Sequence, residues 1–268
     1  EEFFSILTES IDLRTAADVP VANFLSGGID STSIVKNLVD NQKGVNSFSI
    51  YIEDSKYDES KYIKEVVSKY NLDHKSSTIS SNISFDEINQ SLDSLDEPYS
   101  DPSVVPSYIL SKQISQFYKV AISGDGGDEL LGGYERTMRS LQKSSYISNL
   151  ISKTYNIYPA ILGTGNKLLS KSSSLETKYR SFLEDRKLIK LLNVSSDNNT
   201  YADGLDYKDV HYYKNLLIAD YKLFLPEMMM FKIDRTSMAN SLEVRSPFVD
   251  HKLIEFVMTH DTTYLNPN

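Results

Sequence analysis

The chain has 268 residues, of which 40% are hydrophobic and 24% charged, with a formal net charge of −9 and an isoelectric point near 5.0. This composition excludes a disordered or fibrous chain, and the acidic balance disfavours a nucleic-acid-binding protein, because neutralising phosphates requires a basic surface. Since the sequence has no cysteine, no run of about 18 apolar residues and no secretory signal, we expect a cytoplasmic protein without disulfides, thiolate metal sites or a membrane span.

The first half of the chain alternates between the periods of helices and strands. In chain order, the pattern predicts a helix over residues 2–15, a strand over 21–25, a helix over 31–41, a strand over 47–52, a helix over 58–70, a weak strand over 74–79, a helix over 104–117 and a strand over 118–123. Strands that alternate with helices of this length are typical of βαβ units. We therefore predict an α/β fold with a parallel twisted sheet and helices on both faces.

The second half contains no segment that we predict as a strand, and its apolar residues recur at helical spacing. We predict an α/β core over about 1–134 and a mostly helical part over about 135–268. Residues 140–200 are rich in Ser, Lys, Asn and Tyr and carry no motif. We interpret that stretch as helices and loops that decorate the sheet.

A glycine turn, Ser26-Gly27-Gly28-Ile29-Asp30-Ser31, follows the first predicted strand and precedes a predicted helix. Two glycines allow a tight turn, so that backbone N–H groups and the helix N-terminus converge on one point and favour an anion. Neither a Walker A loop nor a GxGxxG pattern occurs in the chain. The alternative that these residues leave open is a plain turn with a helix-capping aspartate.

An aspartate in an anion-binding turn requires an explanation. Asp30 would repel a polyphosphate by about 4 kcal/mol per pair of unit charges at 4 Å and an effective dielectric of 20, and a Mg²⁺ ion between them would reverse that sign. A second turn, Ser123-Gly124-Asp125-Gly126-Gly127-Asp128-Glu129, follows the fourth predicted strand. Ligands of parallel sheets bind at the carboxyl ends of the strands, so we favour a binding site there over a flexible acidic loop.

These turns and several other segments resemble a known family. The first turn resembles the SGGxDS pyrophosphate loop of the N-type ATP pyrophosphatases, and the chain as a whole resembles the synthetase domain of glutamine-dependent asparagine synthetases. The further matching segments are Asp18-Val19-Pro20-Val21, Phe48-Ser49-Ile50, Tyr57-Asp58-Glu59-Ser60, Asp96-Glu97-Pro98-Tyr99-Ser100-Asp101-Pro102-Ser103, Ser123 to Tyr134, and Lys232-Ile233-Asp234-Arg235-Thr236-Ser237-Met238-Ala239 with Glu243, Arg245, Pro247-Phe248 and Asp250. Each segment is moderately specific, and together in this order they are very specific.

The resemblance implies an ATP site at the carboxyl edge of the sheet. It places the pyrophosphate of ATP in the first turn and the adenosine beside it. The implied ATP-binding residues are Leu25, Ser26, Gly27, Gly28, Asp30, Ser31, Ile50, Ser123 and Gly124. Asp30 and Asp128 match the aspartates that hold Mg²⁺ on the phosphates, so the implied cofactors are ATP and Mg²⁺.

The resemblance also implies residues on the amino-acid substrate side. Asp125 matches an acidic residue that orients the substrate or handles the ammonia proton, and we place Lys232 with it as catalytic. The residues that match the block framing the substrate are Asp234, Arg235, Glu243 and Arg245. For Glu243 and Arg245, an ion-pair network that joins two helices explains the same residue types equally well.

The enzyme implied by the resemblance is an ATP-dependent amide synthetase that forms AMP and pyrophosphate. Attack of a carboxylate on the α-phosphorus makes AMP a good leaving group, and ammonia from a glutaminase domain then displaces it. Aspartate is the first candidate substrate, and a homodimer is compatible with the resemblance. Two alternatives stay open: the same chemistry on another carboxylate (lactam or peptide cyclisation, sugar amidation), and an ATP-binding or interaction fragment without catalysis.

The sequence departs from the family at both ends. The family's glutaminase domain, with its N-terminal cysteine nucleophile, is not among these residues, and neither is the later segment whose lysine stabilises the adenylate in the family. We therefore expect the chain to be the middle of a longer protein, able to bind ATP but slow to turn over by itself.

Overall fold

The computed structural model describes residues 1–53, 58–80, 83–141, 146–159, 162, 165–172, 175–183 and 212–260. Tyr57 of the matching segments and residues 184–200 of the stretch interpreted as decoration lie outside these ranges. The chain divides into two compact units, which are Glu1–Gly127 with Phe224–Thr259, and Asp128–Leu223 with His260–Asn268.

Five strands form the sheet of the first unit, in the spatial order β3-β2-β1-β4-β5. The strands are β1 (Val21–Phe24), β2 (Asn46–Ile52), β3 (Asp73–Ile79), β4 (Val120–Ile122) and β5 (Glu243–Arg245). Every neighbouring pair is parallel, and β1 sets the register with Ala22 opposite Asn46 on one side and opposite Ala121 on the other. The predicted parallel α/β fold is confirmed.

Helices pack on both faces of this sheet. The helices of the first unit before β4 are α1 (Glu2–Thr15), α2 (Ile29–Asp40), α3 (Ser60–Tyr70), α4 (Phe85–Asp93) and α5 (Val104–Ser115). Ala22 packs with Ile114 of α5, whereas Leu25 packs with Val35 of α2 and Ile63 of α3. Side chains alternate between the two faces along an extended chain, and Ala22 and Leu25 are separated by an odd number of positions. Their side chains therefore point to opposite faces of the sheet.

Helix α4 was not predicted, although its N-terminus carries a clear signal. The Glu87 N–H donates to the Ser84 hydroxyl at 3.1 Å, and the Ser84 N–H donates to the Glu87 carboxylate at 3.4 Å. This reciprocal pair is a capping box. The Ser-x-x-Glu spacing ahead of the apolar Ile88 and Leu92 would have predicted a helix start at residue 85.

The sheet also differs from the prediction at its far edge. We predicted no strand after about residue 134, but β5 lies within Phe224–Thr259, a segment of the first unit. β5 pairs with β4 and places Glu243 opposite Val120 and Arg245 opposite Ile122. This strand has three residues, of which two are charged, so it gives no strand-length alternation of apolar and polar residues.

The second unit is helical in its described part. Its helices are α6 (Gly127–Leu131, which begins one residue before the unit), α7 (Glu135–Leu141), α8 (Tyr146–Ser152), α9 (Asn166–Leu169), α10 (Leu175–Leu183) and α11 (Tyr212–Ala219), with a 3-10 turn over Lys153–Ile157. Buried Tyr179, Leu216 and Ala219 form an apolar cluster within it. Across the described ranges of both units, no helix has the length and apolar character needed to cross a membrane.

A π-helical segment, Asp220–Met230, follows α11 and leads directly into α12 (Phe231–Met238). Pro226 lies inside this segment. Proline lacks the N–H that an α-helix needs, and its ring clashes with the carbonyl four residues earlier, so a wider turn is favoured there. After β5 the chain forms a 3-10 turn over Pro247–Val249 and the helix α13 (His251–Thr259).

Candidate active site

The turn between β1 and α2 is held by hydrogen bonds among its own residues. The Ser31 hydroxyl accepts from the Ser26 N–H at 3.3 Å and lies 3.0 Å from the Ser26 hydroxyl. The Gly28 N–H donates to the Ser26 hydroxyl at 3.2 Å, and the Thr32 N–H donates to the Gly28 carbonyl at 3.0 Å. These bonds fix the turn at the N-terminus of α2, where the helix dipole favours an anion.

Gly27 is required both by the conformation of this turn and by its packing. Its φ is +79°, in the left-handed region. A Cβ at Gly27 would lie 2.9 Å from the backbone nitrogen of Ile63 and from the Cβ of Tyr62, so the turn's backbone lies directly on α3. Ile29, on the outer side of the turn, is 85% exposed, so that side is open to solvent.

The turn that follows β4 lies against the first turn. A Cβ on Gly124 would lie 3.0 Å from the nitrogen of Ser31, and a Cβ on Gly127 would lie 2.4 Å from the Cγ of Asp30. The two turns follow the neighbouring strands β1 and β4, which is the point where the strand order reverses. Parallel α/β sheets bind ligands at such a switch point. The glycines therefore allow the Asp30 carboxylate to touch the backbone of the second turn.

A cavity of about 220 Å³ lies beside these turns. Five of its lining residues were predicted from the resemblance, namely Leu25, Ser26, Ile50, Asp125 and Lys232. The other lining residues are Phe24, Ile52, Glu59, Pro106, Ser107, Leu110 and Ile233. The cavity is thus largely apolar with a few charged groups, which is typical of small-molecule sites.

Lys232 reaches this cavity from α12 and is only 5% exposed. Its Nζ donates to the Ser103 hydroxyl at 2.8 Å and lies 3.5 Å from the Oδ2 of Asp101. A buried ammonium is costly unless it is paired and hydrogen-bonded, so these two partners hold its charge in place. A fixed charge of this kind can neutralise negative charge that develops on a phosphate or a carboxylate.

The pKa of the Asp101 carboxyl is lowered from its ordinary value of 3.8. Burial raises the pKa of this group, but hydrogen bonds from the N–H and hydroxyl of Ser103 and the charge of Lys232 outweigh the burial. A carboxyl whose pKa is lower in the folded than in the unfolded state stabilises the fold above the unfolded value. That contribution is lost as the pH falls from 3.8 through the folded value.

We therefore expect Asp101→Asn to flatten the acid end of the stability profile. The free energy of unfolding of the unchanged protein should fall more steeply below about pH 4 than that of the variant, because only the former has this carboxylate to protonate. Urea unfolding at a series of pH values from about 2.5 to 6 measures both slopes. Parallel profiles would contradict the assigned role of Asp101.

Other residues of the predicted substrate block lie outside the lining of this cavity. Asp234 is exposed, and Arg235 pairs with Asp96 at 2.7 Å at a largely exposed position. The Arg245 guanidinium donates to the carbonyls of Arg14 and Ala16 at 3.0 and 2.9 Å, at the end of α1. It also pairs with Glu243 at 2.8 Å. These contacts give Glu243 and Arg245 a structural role. Their contact with a substrate stays a prediction.

Asp128 is the first residue of the second unit, and its role as a metal ligand stays a prediction. Gly133 packs closely on it, since a Cβ there would lie 1.9 Å from the Asp128 Oδ1. The adjacent Glu129 is buried and accepts a hydrogen bond from the Tyr134 hydroxyl at 2.5 Å. Burial and the Glu129 carboxylate raise the pKa of Tyr134 far above its usual range, so its phenol remains a donor.

A magnesium ion does not require an all-protein cluster in such a site. Within the ranges that the structure describes, no group of three or more histidine, aspartate and glutamate side chains has metal-site spacing. Magnesium bound at a nucleotide takes one or two carboxylates, together with phosphate oxygens and waters. The Asp30 carboxylate lies near the N-terminus of α2 and against Gly127, and it is suited to be one of these carboxylate ligands.

Sequence reasoning missed the partners of Lys232 and part of the cavity wall. The segment from Asp96 to Ser103 was recognised as a match, but a motif does not tell which of its side chains reach a site. Asp101 and Ser103 are distinguished only by their contacts with Lys232, and the hydrogen bond from Lys232 to Ser103 spans 129 positions. Glu59 in the cavity wall was also missed; burial raises the pKa of its carboxyl. An acid in the first turn of a predicted helix is too common a pattern to single it out.

Comparisons with known proteins agree with the resemblance. The family model described as asparagine synthase matches residues 2–266. The glutamine-hydrolysing asparagine synthetase 1 of Bacillus subtilis is 28% identical over 267 residues, which cover 93% of this chain and 42% of that protein. A putative glutamine-hydrolysing asparagine synthetase 2 of Methanocaldococcus jannaschii is 39% identical over 138 residues, which cover 50% of this chain and 26% of that protein.

Two further proteins show a lower likeness to this chain. The amidase chyE of Penicillium rubens is 25% identical over 306 residues, with 94% of this chain and 44% of that protein covered. A solved structure of the U34-tRNA thiolase NcsA from Methanococcus maripaludis has 15% identity and a TM-score of 0.36, covering 91% of this chain and 82% of that one. That structural likeness is too low to carry an argument. The chain spans about two fifths of the length of the first curated relatives, 42% and 40%.

Proposed function

Since this chain belongs to the asparagine synthase family, we propose that it forms the synthetase part of an enzyme that makes an amide from a carboxylate and ammonia. The reaction is driven by cleavage of ATP to AMP and pyrophosphate. The proposed carboxylate is the side chain of aspartate, and the proposed source of ammonia is glutamine, in line with the names of the curated relatives.

One observation carries the proposal. Two glycine turns meet at the switch point of a parallel sheet, and the cavity beside them contains Ser26 from the first turn, Asp125 from the second and the buried Lys232. An anion-binding turn, an acid and a fixed cation are the groups that adenylation followed by amine attack requires.

The nucleotide would bind with its pyrophosphate on the N–H groups of the Ser26–Ser31 turn and its adenosine against Leu25 and Ile50. Asp30 is the proposed first ligand of Mg²⁺, and the resemblance alone assigns a second to Asp128. A bound Mg²⁺ ion would neutralise the charge of the triphosphate. The Ser123 hydroxyl, which is buried and has no hydrogen-bond partner among the described residues, supports a polar contact near Gly124.

The chemistry divides into two displacements. A carboxylate oxygen attacks the α-phosphorus, and the bond to pyrophosphate breaks. The ammonia nitrogen then attacks the activated carbonyl carbon, AMP leaves, and the nitrogen loses a proton. Asp125 is the proposed acceptor of that proton, and Lys232 balances the negative charge that develops in either step.

A second candidate keeps the adenylation and changes the carboxylate. The Penicillium relative is named an amidase rather than an asparagine synthetase, although it is similar over 94% of this chain.

Product analysis tests both candidates. The protein in its full natural length would be incubated with ATP, Mg²⁺ and ammonium, either without a carboxylate, with aspartate or with another carboxylate, and AMP, pyrophosphate and asparagine would be separated. We expect all three products only when aspartate is present. AMP and pyrophosphate that appear with another carboxylate, and not with aspartate, would favour the second candidate. ATP that neither binds nor is cleaved under any condition would contradict both.

A further inference from the structure

Tyr99 connects the loop before α5 to the end of the π-helical segment. Its hydroxyl donates to the carbonyl of Met228 at 2.5 Å, across 129 positions of the chain. Its ring packs on Phe231, with centroids 5.8 Å apart and planes 31° apart. Both partners lie in the first unit, as Tyr99 does.

These two contacts lie on either side of a change in helical register. The π segment ends at Met230, and α12 begins at Phe231, so Met228 and Phe231 bracket the junction. Lys232 is the second residue after it. Successive residues are about 100° apart around the axis of an α-helix and closer together in the wider π turn, so a shift of the junction would rotate the Lys232 side chain about the helix axis.

The same loop holds Lys232 at its other end. Asp101 and Ser103, two and four residues after Tyr99, are the partners of the Lys232 ammonium. Met229, inside the π segment, also contacts the Lys232 Nζ through its sulfur at 3.7 Å. The loop therefore holds both the helix junction and the side chain that follows it.

We propose that Tyr99 is a positioning residue, which fixes the π-to-α junction and thereby keeps the Lys232 ammonium in the candidate active site. The functional part of this inference depends on the proposed function, since it takes Lys232 as catalytic. The placement of Lys232 does not depend on it. Burial and the nearby carboxylates of Asp101 and Asp125 raise the pKa of Tyr99, so its hydroxyl stays protonated and able to donate.

The test is Tyr99→Phe in the protein of full natural length, since this change removes the hydroxyl and keeps the ring against Phe231. Two readouts are measured. The first is the rate at which a lysine-selective acylating reagent modifies Lys232, followed by peptide mass spectrometry with the exposed Lys112 as internal reference. The second is the rate of pyrophosphate release, with kcat and the KM for ATP determined separately.

We expect several-fold faster modification of Lys232 at an unchanged rate for Lys112, and a kcat lowered about tenfold or more at an unchanged KM for ATP. Tyr118→Phe is the matched control, because the Tyr118 ring packs edge-on against Phe48 and its hydroxyl has no hydrogen bond among the described residues. It should leave both readouts unchanged.

Three results would overturn the inference. They are an unchanged modification rate of Lys232 in Tyr99→Phe, an equal rise for Lys112, and the same rise in Tyr118→Phe. Failure of the proposed function is recognised separately, because the unchanged protein would then release no pyrophosphate with any carboxylate. Lys232 reactivity would still decide whether Tyr99 positions it.

Discussion

Asp30→Asn should change how the protein's affinity for ATP depends on Mg²⁺. Asp30 lies in the first turn of α2, and its carboxylate touches the backbone at Gly127. With the metal bound, the carboxylate attracts the complex, but without it the carboxylate repels phosphate charge by about 4 kcal/mol per pair at 4 Å and an effective dielectric of 20. Asparagine keeps the volume and removes the charge.

We expect Asp30→Asn to bind Mg-ATP more weakly by at least the 10–100-fold, roughly, that the loss of an outer-shell partner costs a metal site. Metal-free ATP should bind the variant as well as the unchanged protein, or more tightly, because the repulsion is gone. Isothermal titration calorimetry in excess Mg²⁺ and in EDTA measures both affinities. A purely structural role for the carboxylate predicts instead that both affinities fall together.

The matched control for this prediction is Asp40→Asn. Asp40 is the last residue of the same helix, and it pairs with Lys36 at an exposed position, so the substitution is identical and only the location differs. Both ATP affinities should remain at the level of the unchanged protein. Weaker Mg-ATP binding in Asp40→Asn would show that the charge of α2 as a whole matters, and would contradict a metal ligand at Asp30.

Two central strands of the sheet could be predicted because burial on two faces selects short apolar runs. The predictions over 21–25 and 118–123 correspond to observed strands at Val21–Phe24 and Val120–Ile122. Strand β5 could not be predicted in this way. It is held by backbone groups, with the Glu243 N–H donating to the Lys119 carbonyl at 2.9 Å and the Ser123 N–H donating to the Arg245 carbonyl at 3.0 Å. Pairing at a sheet edge uses groups that every residue has, so composition does not reveal it.

The candidate site also could be predicted only in part from the sequence. The two turns could be predicted because their glycines and acids are adjacent in the sequence. Their contact with one another follows only from the position of β4 beside β1. The acidic partner of Lys232 could not be predicted, since the chain has 37 acidic residues and the matching segment from Asp96 to Ser103 does not tell which of its acids meets Lys232. Long-range pairing of charges is decided by tertiary structure, and the resemblance to a family supplied motifs rather than contacts.

Asp220→Asn should lower the free energy of unfolding of the second unit by about 3–5 kcal/mol, the largest loss of stability that we expect. Asp220 is 0% exposed. Its carboxylate accepts hydrogen bonds from Arg136 at 2.7 Å, Thr137 at 3.1 Å and Tyr179 at 2.6 Å. The Arg136 guanidinium also lies over the Tyr134 ring at 3.7 Å and is mostly buried. Asparagine can accept some of these bonds but removes the negative charge that faces the buried Arg136 guanidinium.

Urea unfolding, with hydrogen exchange of Tyr212–Ala219 as the local readout, measures this loss. Glu135→Gln is the control, because Glu135 lies next to Arg136 in α7 and pairs with Arg139 where both side chains are more than half exposed. Such a surface pair contributes little to stability, so the control should unfold like the unchanged protein.

The double variant Asp220→Asn with Arg136→Met separates the effect of charge from that of packing. Since it removes the Arg136 cation together with the Asp220 charge, it should be more stable than Asp220→Asn alone. A double variant that is less stable than the single one would assign the loss to packing around Asp220, and the electrostatic explanation would be wrong.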